Sequence, residues 1–383
     1  MWTFGRLHVF PDLTLLAISL AVLAPLAWWS WTYPRWSTPR RRALTAIAAL
    51  ALAGLFCAGY LLGFVRVFRH FPEFIGVWVP AASMIISGLM TGVFLAVALW
   101  RVSSSFRPER RAFFRKAGYA ALAAPAAVTA FGIVTRNRLE LNEVDVPIPN
   151  LPKDLHGLRI TQVSDIHLSD FLNERELARA IDMANATRPD LMLVTGDLIT
   201  RPGDPLDAAI RQIARLRAPA GVFGCHGNHE VYCRTEEYIT EVGKRIGIDF
   251  LRKRARSLRF GNATLNLAGV DYQRFHQPYL VGTEELVAPG AFNVLLSHNP
   301  DVFNVAAKQG FDLTIAGHTH GGQVNFEILH RNVNVALAFT PYVRGLYRQG
   351  PSAIYVSSGI GTIGVPMRLG APAEIAVLRL CAS

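Results

Sequence analysis

The chain has 383 residues, 51% of them hydrophobic and only 17% charged, with a formal net charge of +11; an ordinary soluble domain carries roughly 25% charged residues. Disordered and collagen-like chains are excluded by this composition. Up to and including Arg138 there are 15 basic and three acidic residues (Asp12, Glu73, Glu109), whereas the remainder is close to neutral, so the basic folded surface of a nucleic-acid-binding domain is absent and no nucleic-acid partner is expected.

Four apolar runs come first, over 13–31, 43–65, 74–100 and 117–134, none containing Asp, Glu, Lys, Arg or His. Runs near 20 residues long predict an all-α bundle of four transmembrane helices over 1–136. The lack of intramembrane ionisable groups favours an anchor touching membrane lipids over a transporter. Arg35, Arg40, Arg41 and Arg42 follow the first run, and Arg101, Arg107, Arg110, Arg111, Arg115 and Lys116 follow the third. By the positive-inside rule, these loops are cytoplasmic, which predicts a multi-pass protein of the inner membrane with its C-terminal domain extracytoplasmic. The segment 109–116 also resembles a twin-arginine export signal, here internal.

From residue 137 the pattern changes. Residues 139–148 alternate as a half-buried strand does, and Pro149 and Pro152 mark a turn, so 137–157 reads as linker and first strand and 158–383 as the catalytic domain. Short runs rich in β-branched residues follow at 158–163, 191–195, 222–225, 292–297 and 311–316, separated by helix-patterned segments at 174–186, 205–216 and 236–246. Strands alternating with helices predict an α/β sheet with functional loops at the strand C-terminal ends. After His320, strand-like pieces at 353–356 and 375–380 predict a second sheet packed on the first.

Five polar clusters sit at those strand ends: Ser164-Asp-Ile-His167, Gly196-Asp197, Gly227-Asn-His-Glu230, Ser297-His-Asn-Pro300 and Gly317-His-Thr-His-Gly-Gly-Gln323. Brought to one rim, they would offer oxygen and imidazole ligands without thiolate, a set suited to Mn, Fe, Zn or Co. Cys225 and Cys233 bracket the third cluster, and a disulfide between them stays open, because spacing alone does not fix the geometry.

In this order, D-x-H, G-D, G-N-H-E, S-H and G-H-x-H resemble the calcineurin-like metallophosphoesterase family, in its exported or membrane-anchored branch. The resemblance implies a two-sheet αββα sandwich that hydrolyses phosphate esters or anhydrides with two metal ions. It implies Asp165, His167, Asp197 and His320 on one ion and Asp197, Asn228, His298 and His318 on the other, with Asp197 bridging. His229 would act as the acid near the leaving group, although its chemistry also suits an orienting partner for Asn228 or Glu230. Arg368 is open to two readings, a substrate-phosphate contact or a salt bridge to Glu374. His156, His226, His276 and His330 fall outside the motifs and read as structural or exposed, and the basic run Arg252, Lys253, Arg254, Arg256 and Arg259 reads as a solvated or headgroup-facing edge.

The expected activity is metal-dependent cleavage of a phosphodiester, phosphomonoester or pyrophosphate, with the substrate lipid-linked if the anchor is used. Relatives that cleave UDP-2,3-diacylglucosamine in lipid A synthesis supply an alternative enzyme reading, against which the outward topology counts. A metal-binding sensor or scaffold is the non-enzyme alternative.

Overall fold

The computed structural model describes residue 85 and residues 108–274, 278–328 and 331–383. The chain divides into two compact units, Met1–Phe131 and Gly132–Ser383, and the second carries both sheets.

The first sheet has the order β1 (Leu139–Ile148), β14 (Ala373–Ala382), β2 (Arg159–Val163), β3 (Leu191–Thr195), β4 (Val222–Cys225) and β5 (Ile248–Phe250). Strands β2 to β5 run parallel, β14 is antiparallel to β2, and β1 is parallel to β14. The second sheet has the order β12 (Gly345–Gln349), β13 (Ser352–Val356), β9 (Leu313–Ala316), β8 (Phe292–Leu296), β7 (Ala263–Gly269) and β6 (Arg254–Phe260), with a parallel centre and antiparallel edges. A separate ribbon pairs β10 (Phe326–Ile328) with β11 (Arg331–Val333).

One apolar layer joins the sheets face to face: Ile160, Leu191, Leu193 and Leu378 from the first meet Leu265, Leu267, Val294 and Ile315 from the second. The outer face of the first sheet is covered by α2 (Glu174–Ala186), α3 (Leu206–Ile213) and α5 (Glu236–Ile246) through Leu177, Ile181, Ile210, Ile213 and Ile239. Covered on both faces, β3 and β4 are buried at every residue, which is why they read as unbroken apolar runs rather than alternating ones. On the outer face of the second sheet, α6 (Phe303–Gln309) contributes Phe303 and Ala306. The result is the two-sheet α/β sandwich expected from the sequence.

The edges explain the basic run. In β6 every residue is half-buried or exposed, and Arg254 and Arg256 both pair with Asp249 while Arg252 joins Glu237 and Asp271. Charged side chains on an outer strand discourage pairing with another chain.

The expected four-helix transmembrane bundle is corrected by the structure. The fourth run falls in α1 (Pro108–Thr135), and no helix among the described residues is long and apolar enough to cross a membrane. The first nine residues of α1 include Glu109, Arg110, Arg111, Arg115 and Lys116, and the remainder contains Pro125 and two Gly. The runs at 13–31, 43–65 and 74–100 lie outside the described residues apart from Ile85. The inner-membrane, extracytoplasmic placement was counted from four crossings, and among the described residues no helix supplies one. The segment 109–116 occupies the first turns of α1.

Candidate metal centre

Each predicted site residue lies just beyond a strand end. Asp165 and His167 follow β2, Asp197 follows β3, Asn228 and His229 open the short helix α4 (Asn228–Cys233) after β4, His298 follows β8, and His318 and His320 follow β9. All five of these strands belong to the parallel runs of the two sheets and point the same way within their sheet, so their loops collect on one rim.

The backbone there is unusual. Asp165, His167, Asp197, His318 and His320 all have positive φ, from 47° to 76°. A side chain in this region costs about 1–3 kcal/mol, and five such residues at one rim indicate that the loops are bent to aim ligands inward.

The side chains form three overlapping groups, Asp165/His167/His320, His167/Asp197/His229 and Asp197/His298/His318, and within each the ligand atoms lie within 4.8 Å of one another. Asp197 belongs to two groups, its Oδ2 standing 3.5 Å from His167 Nε2 and 3.1 Å from His298 Nε2. Asp165 Oδ1 is 3.5 Å from His320 Nε2 and 3.9 Å from His298 Nε2. Seven of the eight predicted residues are thereby brought together, and the eighth, Asn228, is the first residue of α4, next to His229.

Electrostatics shows what the cluster accepts. Burial raises the Asp165 carboxyl, and Asp197 adds to the rise. In Asp197 burial acts in the same direction, but His298 and His229 outweigh it and hold the carboxyl well below its ordinary value. Burial alone would depress His298; Asp197 and Asp165 instead raise it to about 10. Two buried acids thus recruit the nearest imidazole as a cation. Burial is the main cause that keeps His229 neutral at about 4, His318 at about 3 and His320 well below its ordinary value, and neutral imidazole is the ligating form. Moreover, His167 Nε2, Asn228 Oδ1 and His320 Nδ1 are buried without a hydrogen-bond partner among the described residues, as ligand atoms are when their partner is an ion. The residues present fit divalent metal.

The orienting contacts around these groups are well defined. His298 Nδ1 is 2.7 Å from the Thr195 carbonyl, His167 Nδ1 is 3.1 Å from Thr200 Oγ1, and Ser164 Oγ donates to Asp165 Oδ2 at 2.5 Å. The backbone N–H of His318 donates to Asp165, tying the first and fifth motifs together. His229 donates its backbone N–H to Asp197 Oδ1 at 2.9 Å, and its Nδ1 lies 2.5 Å from the Thr200 carbonyl.

A family model for calcineurin-like phosphoesterases matches residues 158–322. A metallophosphoesterase of Aquifex aeolicus is 30% identical over 254 residues, covering 63% of this chain and 92% of that protein. The chain belongs to the calcineurin-like phosphoesterase family. Metallophosphoesterase Cj0846 of Campylobacter jejuni is 36% identical over 245 residues, 63% of each chain, so less than two thirds of that relative's length is matched. Metallophosphoesterase YkuE of Bacillus subtilis is 29% identical over 279 residues, 70% of this chain and 96% of that one. The family consists of metal-dependent phosphoesterases, and this member carries the ligand groups such chemistry needs.

Sequence reasoning assigned Glu230 no role of its own, yet in this calcineurin-like site it is fully buried and holds two loops. Its Oε2 accepts from the N–H of Asp197 at 2.8 Å and of Gly227 at 2.6 Å, and its Oε1 accepts from Leu198 at 2.7 Å. The available signal was the spacing of Gly227 and Glu230, the N-cap and N3 positions, from which an N3 carboxylate reaches back to the N-cap N–H. Glu230→Gln leaves one of the three donors facing an amide, and a 10–100-fold loss of metal affinity or activity is expected, to be measured by metal titration of the variant.

Neither reading of Arg368 survives. Its buried guanidinium donates to five carbonyls, those of His320, Ala371, Ser358, Gly359 and Gly361, and burial depresses its pKa to about 10. Glu374 instead accepts from Tyr355, Asn142 and the Ser358 N–H, with Arg344 at 3.8 Å. The loop that Arg368 holds lies directly against the first motif, since a Cβ on Gly361 would stand 2.2 Å from the Ile166 carbonyl. Arg368→Met should therefore lower the unfolding free energy of the metal-free protein by about 3 kcal/mol or more, read from urea denaturation, because charged hydrogen bonds contribute roughly 1.5–3 kcal/mol each.

The thiols of Cys225 and Cys233 are free, not bridged. His226 is structural, stacked on Phe250 at 5.2 Å with Nε2 2.8 Å from Thr240 Oγ1, and His156 Nδ1 accepts from the Ala382 N–H.

Proposed function

We propose that this protein is a two-metal phosphohydrolase cleaving a phosphodiester, phosphomonoester or pyrophosphate. The observation that carries the reading is the position of Asp197, shared between two ligand groups at the meeting point of the sheets' loops. Asp165, His167, Asp197 and His320 would hold one ion, and Asp197, Asn228, His298 and His318 the other, with Mn, Fe, Zn and Co all suited to this donor set. When bound, the ion pair supplies Lewis-acid charge that lowers the pKa of a water and offsets charge on the phosphoryl group.

The chain's own residues do the rest. The two carboxylates balance the cations, and the strained loops fix the ligand directions before substrate arrives. His229 serves the departing oxygen in this reading: its neutral ring, with Nδ1–H held on the Thr200 carbonyl, leaves Nε2 free to take up the proton released by the attacking water and pass it to the leaving oxygen. Its neighbour His167, 4.7 Å away between ring centroids, keeps that nitrogen beside the ligand cluster. Residues 158–383 form the catalytic domain in this proposal, with 137–157 as linker and first strand.

The test is hydrolysis of bis(p-nitrophenyl) phosphate, p-nitrophenyl phosphate and a nucleoside pyrophosphate by the full chain, stripped with chelator and reloaded with Mn²⁺. Turnover of at least one ester, lost on stripping and restored on reloading, is expected. Full reloading measured by metal analysis, with no turnover of any, would refute the reading.

A further inference from the structure

Tyr272 belongs to none of the motifs and stands inside the site. It follows β7 in the loop Val270-Asp271-Tyr272-Gln273, and Asn299 ties this loop to the His298 turn by donating from Nδ2 to the Gln273 carbonyl at 2.7 Å. The Tyr272 ring lies 5.7 Å from the His318 ring and 6.2 Å from the His298 ring, inclined to both. Only 9% of the residue is exposed, and its hydroxyl is buried with no hydrogen-bond partner among the described residues.

A phenol buried for packing alone would find an acceptor or be replaced by phenylalanine at no loss. An orphaned donor beside a cluster built for metal and phosphate has a simpler use. We propose that Tyr272 is a substrate-contact residue, its O–H donating to a non-bridging oxygen of the phosphoryl group bound at the His298/His318 side of the site. The inference rests on the phosphohydrolase reading and adds a contact to it. Phosphoryl oxygens only accept hydrogen bonds, so a neutral O–H is the complementary group, and burial keeps this phenol protonated. The placement is opposite in kind to His229: one group steadies the phosphoryl oxygens, and the other serves the leaving oxygen. Tyr232 stands on the His229 side, its ring 5.5 Å from that of His229.

Tyr272→Phe tests this in the full, Mn²⁺-loaded chain, with Tyr279→Phe, a buried neighbour outside the site, as the matched control. Four quantities are read: bound metal, urea midpoint, orthophosphate affinity by calorimetry, and kcat and KM on bis(p-nitrophenyl) phosphate. Expected for Tyr272→Phe are unchanged metal content, an equal or higher urea midpoint, and phosphate affinity and kcat/KM each lowered roughly 10-fold or more, with Tyr279→Phe like the native protein. Phosphate affinity and kcat/KM within two-fold of native would overturn the proposal. If the native protein binds phosphate but hydrolyses no ester, the phosphohydrolase reading fails while the phosphate titration still decides the Tyr272 contact. If it binds no phosphate, both fall.

Discussion

Asp197→Asn is expected to abolish turnover and to lower the metal content of the purified protein. The substitution keeps size and shape but removes a charge that serves two ligand groups at once, with Oδ2 3.5 Å from His167 Nε2 and 3.1 Å from His298 Nε2. The amide would also set N–H donors against imidazole nitrogens that must remain free to ligate. Groups one step removed from a metal typically cost 10–100-fold when lost; a carboxylate shared by both groups should cost more than about 100-fold. Calorimetric Mn²⁺ titration beside the kinetic assay separates the two components. A variant that binds two equivalents of metal and retains native kcat would remove Asp197 from the centre of the mechanism.

The sequence made much of this legible because the chemistry follows the strand ends. Segments 174–186 and 236–246 coincide with helices, and 191–195 and 222–225 with strands, because the helices turn one apolar stripe to the first sheet and the strands are buried on both faces. Residues 311–316 shorten to Leu313–Ala316, since Phe311 packs in the loop before the strand. The hairpin of β6 and β7 was obscured: Arg254, Arg256 and Arg259 interrupt the apolar pattern, and their charges belong on an edge that only the assembled sheet defines. Pairing of β1 with β14 along ten residues joins segments more than 200 residues apart, and no local pattern encodes that register. In the site, ligands announced themselves by residue type. Glu230 and Tyr272 did not, because their roles depend on which backbone N–H groups and which rings the fold sets beside them.

The αL residues show how local rules give way at this rim. Asp, Asn and His tolerate positive φ better than most side chains, so Asp165, His167, Asp197, His318 and His320 combine ligand chemistry with the backbone bend that aims it. The stabilisation that offsets this strain comes from groups with no ligand role: Glu230 on the Asp197 and Gly227 loops and Arg368 on the carbonyls of His320 and Gly361. Activity and stability are therefore tied at these two buried charges, whereas at Tyr272 they come apart.

Gly227→Ala should reduce activity about 100-fold or more, through packing alone. Gly227 has φ −96° and ψ −173°, an extended conformation open to alanine, so no backbone strain is introduced. A Cβ there would lie 2.1 Å from Asp197 Oδ1 and 2.8 Å from the Asp197 N, where ordinary contact begins at 3.4 Å. The carboxylate must move by about 1 Å, and misplacement on that scale can cost about 10²-fold in rate. It cannot swing away freely, because its Oδ1 also receives the His229 N–H, so the shift disturbs the ligand group and the proton donor together. Gly247→Ala provides the contrast: its added Cβ meets nothing within 4 Å, but φ is +84°, so it should lower stability by roughly 1 kcal/mol and leave kcat intact. Measuring kcat, metal affinity and urea midpoint for both variants separates close approach at the centre from conformational strain away from it, and native kcat in Gly227→Ala would show that the Asp197 position is not critical.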